Sequence, residues 1–211
     1  MTLDHLVFAH ASLDEGAADV QRRLGVTAEP GGRHERIGTH NRLIGLGSGP
    51  YLEILAPDPD ALKPGPTAAR LARLRDGGAA LCFQSAHLDE LEGIARAAGF
   101  ATRGPEDWSR RGANGETLAW RLLFVSHPAL GGADPFFIDW GETRRPSQRL
   151  AQAAQLVDYA VVNPEPDRAH ELYSRLGLAL KVSHGVEPAL QITLAAGQMT
   201  ARSNRQPFSL F

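Results

Sequence analysis

Apolar and polar positions follow one outline in three short stretches: LDHLVFAH (3–10), ALCFQSAH (80–87) and VDYAVVNP (157–164). Each reads as a half-buried strand, and each leads into a helix pattern. After the first, Leu13, Ala17, Val20 and Leu24 form a helical stripe. Ser12 is placed to cap its start, Asp14 and Glu15 fall in its first turn, and Gly25 is placed to end it. GGRHERIGTHNRLIGLG then reads as a loop with two short strands, and YLEILAP as a third strand stopped by Pro57. A second pass runs from GGAALCFQSAH through the helix-like LDELEGIARAAGF to the strands of ETLAWRLLFVSHP and PFFIDWG. A third runs from LVDYAVVN through a helix over 167–176 to ALQITLAAG and QMTARS.

These passes predict βαβββ units at 1–57, 78–141 and 150–211, the last in full or abbreviated form. A turn-rich linker with a short helix (58–77) joins the first two, and the polar ETRRPSQR leads into the third. Internal likeness supports the repeat. HNRLIGLG (40–47) resembles AWRLLFVS (119–126), with Arg42 opposite Arg121, and YLEILA resembles PFFIDW. The expected class is α+β, with repeated units forming a curved, cup-like mixed sheet and helices outside.

Composition narrows the function. The 211 residues are 43% hydrophobic and 22% charged, ordinary for a globular chain. With 22 Lys and Arg against 24 Asp and Glu there is no basic field for nucleic acid and no polybasic segment for a membrane surface. No apolar run approaches the roughly 18 to 20 residues that span a bilayer, and the first residues enter a strand pattern rather than a signal peptide. Cys82 is the single cysteine, so neither an internal disulfide nor a cysteine-based zinc cluster is available. A cytoplasmic setting is expected.

LDHLVFAH, GTHNRLIGLG, YLEILAPDP and PFFIDWG resemble the glyoxalase-like domain branch of the vicinal oxygen chelate superfamily, over about Leu3 to Gly141. Its members include glyoxalase I, extradiol dioxygenases, epimerases and bleomycin-resistance proteins. The resemblance implies two units curled round a divalent ion, each giving one ligand from its first strand and one from its last. His5 and Glu53 match in the first unit. In the second, Ala80 falls opposite His5 and, by the PFFIDW likeness, Phe137 opposite Glu53; in the third, Tyr159 takes the His5 position. His40 would complete a set of two histidines and one carboxylate suited to Zn, Mn, Ni or Fe(II).

Two readings of function follow. One is a small-molecule enzyme, a lyase, isomerase or dioxygenase, with His5, His40 and Glu53 on a metal, or with Glu53 as general base where none binds. The other is a metal-free ligand-binding or resistance-type protein on the same fold, which the apolar Ala80 and Phe137 favour. A small-molecule ligand and a homodimer are the expected partners. Strand alternation sets Leu3, His5 and Val7 on one face and Asp4, Leu6 and Phe8 on the other. Glu53, between Leu52 and Ile54, needs a partner if buried. Asn41 is a candidate pocket residue or a strand-entry polar residue. Arg42 and Arg121 are candidate clamps for an anion, or salt bridges between neighbouring elements. Trp120 and Trp140 suit a pocket wall or a core, and Asp139, between Ile138 and Trp140, raises the same question as Glu53. GLGSGP lacks dinucleotide-loop spacing and no GxSxG elbow occurs.

Overall fold

The computed structural model describes residues 1–47, 49–74, 78–112 and 115–202, with only the backbone of Arg202. The tail of the third unit (203–211) and the end of the 58–77 linker (75–77) lie outside the described residues.

The first unit comprises β1 (Thr2–Ala9), α1 (Leu13–Leu24), β2 (Glu29–His34), β3 (Thr39–Gly45) and β4 (Tyr51–Pro57). Ser12 accepts a hydrogen bond from the Glu15 amide, and Gly25 ends α1 with φ 69°, a conformation that glycine adopts without a Cβ clash. The linker contributes α2 (Pro66–Leu71). The second unit holds β5 (Gly78–Gln84), α3 (Leu88–Ala97), β6 (Ala101–Gly112), β7 (Thr117–Ser126) and β8 (Pro135–Asp139). The sequence pattern did not mark β6, because Gly104, Pro105, Glu106 and Asp107 interrupt its alternation; the strand exists because it pairs along β7.

The two units close into one barrel, in the order β1-β4-β3-β2-β6-β7-β8-β5. Closure removes both sheet edges and gives every strand an inner and an outer face. Leu6, Phe8, Ile54 and Phe83 face outward into a core shared with Val20 and Leu24 of α1 and Leu91 and Ala95 of α3. Val7, Leu55, Cys82, Leu122 and Phe136 face inward with the tryptophans. The structure is α+β, a curved mixed sheet with helices outside.

The third unit is β9 (Leu156–Asn163), α4 (Pro166–Arg175), β10 (Val182–His184), β11 (Ala189–Leu194) and β12 (Gly197–Arg202). It keeps the element order of the first two units but not their pairing. Its sheet runs β10-β9-β11-β12, with the first strand inside, whereas β1 and β5 each pair with the last strand of their own unit. It stays outside the barrel, with β12 packed on α1 and β5. Tyr173 in α4 is fully buried and donates to the Ala133 carbonyl at 2.8 Å. The polar segment before β9 lies against the barrel: Arg149 pairs with Glu116, the Ala151 amide donates to Glu29 at 3.2 Å, and Gln152 bridges to Gly45. No helix among the described residues is long and apolar enough to cross a membrane.

Candidate functional site

A bulge in β1 builds the site. Leu3 pairs with Phe83 and His5 with Cys82, so Asp4 is the extra residue. A bulge breaks the alternation of sides, and the expectation that Asp4 faces away from His5 fails for that reason. The Asp4 carboxylate accepts from His5 Nδ1 at 2.6 Å through one oxygen, and from Gln84 Nε2 at 2.8 Å and Trp140 Nε1 at 3.0 Å through the other. With Nδ1–H committed to Asp4, the far nitrogen of the ring faces Glu53: Nε2 lies 3.5 Å from Oε2.

Glu53 is held on its other side. Asn41 Nδ2 donates to Glu53 Oε1 at 2.5 Å, and the Gly32 amide donates to Asn41 Oδ1 at 2.7 Å. That backbone donor fixes which end of the Asn41 amide is oxygen. The chain Asp4–His5–Glu53–Asn41 thus runs across the inner wall with each member oriented by the next. His5 is 4% exposed and Glu53 6% exposed, so bulk water screens their interaction little.

The network faces a cavity of about 30 Å³, walled by Trp108, Trp120, Trp140, Tyr51 and Phe136, with His34 and Arg110 also in its lining. Tyr51 stacks on the His5 ring at 4.7 Å, and Phe136 meets it edge-on at 5.5 Å. Burial pushes His34 down to about 4, so it is neutral at pH 7, its Nδ1 3.0 Å from the Thr39 hydroxyl. Burial, with Asp4 and Glu53 nearby, pushes the Cys82 thiol up, and it stays protonated.

Of the residues singled out in the sequence, His5, Asn41, Glu53, Trp120 and Trp140 come together here. His40, Arg42, Arg121 and Asp139 do not, because alternation turns them to the outer face. His40 sits with Arg42 and Arg33 in an outer groove, so the set of His5, His40 and Glu53 is not assembled. Arg42 pairs with Asp14 at 2.5 Å in the first turn of α1, and Arg121 with Asp89 at 3.0 Å in the first turn of α3. The matched arginines thus tie each unit's strand to its own helix. Asp139 accepts from the Gly141 amide at 2.9 Å. Asp4, Tyr51, His34, Trp108 and Arg110 were missed. A signal for Trp108 and Arg110 existed in their i, i+2 spacing, beside a Gly-Pro break that hid the strand.

Register also corrects one pairing between units. Val7 lies beside Glu53 in the first unit and Cys82 beside Phe136 in the second. Val7 follows His5 by two positions as Cys82 follows Ala80, so Glu53 corresponds to Phe136 and not to Phe137. A slip of one residue exchanges the faces of a strand; Phe137 points outward into the shared core.

The donor chemistry can be tested against a metal. Asp4, His5 and Cys82 bring donor atoms within 4.8 Å of one another. Both Asp4 oxygens already accept hydrogen bonds, and Ala80 and Phe136 bear no donor on the opposite unit. A divalent ion needs three or more free, deprotonated protein groups. The residues present do not fit one.

The sequence profile of the family described as "Glyoxalase-like domain" matches residues 3–177. The chain belongs to that family. Through it the protein is a member of the vicinal oxygen chelate superfamily. No curated protein matches its sequence. Among solved structures, a hypothetical protein from Staphylococcus aureus is similar over 97% of this chain and 87% of its own, with a TM-score of 0.64 and 15% identity. Methylmalonyl-CoA epimerase from Mycobacterium tuberculosis (TM-score 0.47, 23% identity) covers 66% of this chain and 87% of its own. The Streptomyces coelicolor epimerase variant E43L, in complex with 2-nitronate-propionyl-CoA, has a TM-score of 0.47 and 21% identity over 68% of this chain and 97% of its own. The Staphylococcus likeness is one of fold.

Proposed function

We propose that this member of the family is a metal-free small-molecule enzyme that moves a proton on a carbon next to an oxygen-bearing carbon, an isomerase-type reaction. The observation that carries this reading is the buried Asp4–His5–Glu53 chain facing an aromatic cavity. Glu53 Oε2 takes the proton from the substrate carbon. The C–H electron pair moves into the adjoining carbonyl, and His5, as imidazolium, delivers a proton from Nε2 to the developing oxyanion, giving the enol. Asp4 holds His5 in the tautomer that this requires, and Asn41 keeps Glu53 aimed. A positioned acid–base pair of this kind contributes roughly 10²- to 10⁴-fold in rate. A cytoplasmic homodimer acting on a small ligand remains part of this proposal.

The second reading, ligand binding without turnover, draws support from the apolar Ala80 and Phe136 and from the smallness of the cavity. Deuterium incorporation from D2O into small 2-oxo acids, 2-hydroxy acids and ketones, followed by proton NMR, separates the two. Exchange at the carbon beside the carbonyl, reduced at least about a hundredfold in Glu53→Gln, is the expected result. Binding with no exchange in any compound would leave a binding protein.

A further inference from the structure

One charged group in the barrel has no role in the proton chain. Arg110, on β6, turns inward and lines the same cavity as His5 and Glu53. It is 6% exposed, and among the described residues its Nη1 has no hydrogen-bond partner and the side chain takes part in no ion pair. A guanidinium keeps its charge at any ordinary pH, and a buried donor left without a partner is costly; the Glu53 carboxylate shares the cavity but forms no ion pair with Arg110. The protein tolerates this arrangement and makes room for it. A Cβ built at Gly32 would lie 2.3 Å from Arg110 Nη1 and 2.2 Å from the Arg111 carbonyl oxygen. Any other residue at Gly32 would push the guanidinium aside. The neighbouring His34 adds no competing positive charge, being neutral.

The remaining features limit what could pair with Arg110 Nη1. The cavity has about 30 Å³, against the roughly 10 to 15 Å³ that one water needs, so it takes a group of a few heavy atoms. Its walls are flat aromatic rings, among them Trp120 and Trp140, which meet each other at a tilt of 50°, and such faces suit a planar, conjugated group. A carboxylate matches the fork of a guanidinium through two parallel hydrogen bonds.

We infer that Arg110 anchors the carboxylate of a small planar acid, a 2-oxo acid or its enol, and thereby sets the substrate class of the site. His5 and Glu53 line the same small cavity, so a carboxylate on Arg110 keeps the adjoining carbons in the cavity that they share. This inference rests on the proton-transfer reading for its reaction but not for its binding.

The three tryptophans of the chain all line this cavity, so indole fluorescence and the indole N–H resonances report its occupancy directly. The full-length protein is titrated with pyruvate and, separately, with uncharged pyruvamide. Saturable quenching by pyruvate is expected, with pyruvamide at least about tenfold weaker, as expected when a charged hydrogen bond is lost. Arg110→Gln should lose that preference, Arg110→Lys should retain it at reduced affinity, and the exposed neighbour variant Arg111→Gln should bind as the wild type does. Circular dichroism checks that each variant is folded; should Arg110→Gln not fold, Arg110→Lys and the amide comparison carry the test. Equal binding of pyruvate and pyruvamide by the wild type, no response to pyruvate at tens of millimolar, or an undiminished preference in Arg110→Gln would overturn the anchor. Glu53→Gln distinguishes the two proposals. Charge preference with no proton exchange in the wild type removes the acid–base reading alone, and exchange without charge preference removes the Arg110 anchor alone.

Discussion

Asp4 and His5 are adjacent in the chain, yet their side chains meet inside the barrel, with His5 Nδ1 donating to Asp4 at 2.6 Å. Neighbours on a regular strand point to opposite faces, so the contact exists only because β1 bulges against β5. The bulge turns a lone histidine into an oriented one, and it brings Trp140 and Gln84 onto the same carboxylate.

Asp4→Ala would leave three donors, on His5, Gln84 and Trp140, without their acceptor. Each unsatisfied buried donor costs about 1 to 3 kcal/mol, so a loss of roughly 3 kcal/mol or more is expected in urea unfolding. Asp4→Asn keeps an acceptor for one or two of them and should lose less stability. Its proton-exchange rate should still fall about tenfold or more, because the His5 tautomer is no longer fixed.

Gly31 and Gly32 are required by close approach and not by an unusual backbone. A Cβ at Gly31 would fall 2.0 Å from Asn41 Oδ1. Gly31→Ala should therefore displace Asn41, cost about 1 to 3 kcal/mol by overpacking, and lower proton exchange through a misaimed Glu53. Gly32→Ala should cost a similar amount and weaken pyruvate binding through Arg110. Thermal melts and the pyruvate titration check both.

A buried histidine and a half-buried aspartate make stability depend on pH with opposite signs. His34 is held at about 4 by burial, below its ordinary 6.5, so the unfolded chain takes up its proton first as pH falls. Its contribution is present above about 6.5 and is lost between about 6.5 and 4, roughly 3 kcal/mol in all. Burial pushes Asp134 up to about 7, so the folded protein keeps that proton while the unfolded chain has released it. Its contribution is present below about 3.8 and is lost as pH rises towards 7. His34→Gln should flatten the acid side of the stability profile. Asp134→Asn, which keeps an acceptor for the His127 amide, should raise stability at pH 7 to 8 and leave pH 4 nearly unchanged. Urea midpoints from pH 4 to 8 give the comparison.

Metal analysis bears directly on the donor set. Protein freed of adventitious ions and then offered Zn, Mn, Ni and Fe(II) should retain well below one equivalent, and chelator should not change its melting temperature. Close to one equivalent, lost in a His5→Ala/Glu53→Gln double variant that still folds, would restore the metal reading.

Arg42 and Arg121 lie outside the barrel, each on an exposed aspartate. Replacing either with alanine should change stability by no more than about 0.5 kcal/mol, and leave pyruvate binding and proton exchange unchanged. A large loss of binding in either variant would place the ligand on the outer face.

The sequence by itself determined the repeating strand and helix order, the caps of α1, and a histidine and a glutamate set among apolar neighbours in the first unit. These are local properties: hydrophobic period, turn chemistry, and the cost of burying a charge. The tertiary structure decided which of them meet. Alternation takes its sense from which face of a strand the barrel closes over, and that sense removed His40, Arg42, Arg121 and Asp139 from the interior and admitted Trp120 and Trp140. A bulge and a register step, neither encoded in period, brought in Asp4 and set Phe136 rather than Phe137 opposite Glu53. Arg110 was hidden because β6 is held by its partners across the barrel and not by its own pattern. A charged residue in a stretch of broken periodicity looks like surface until the sheet closes around it.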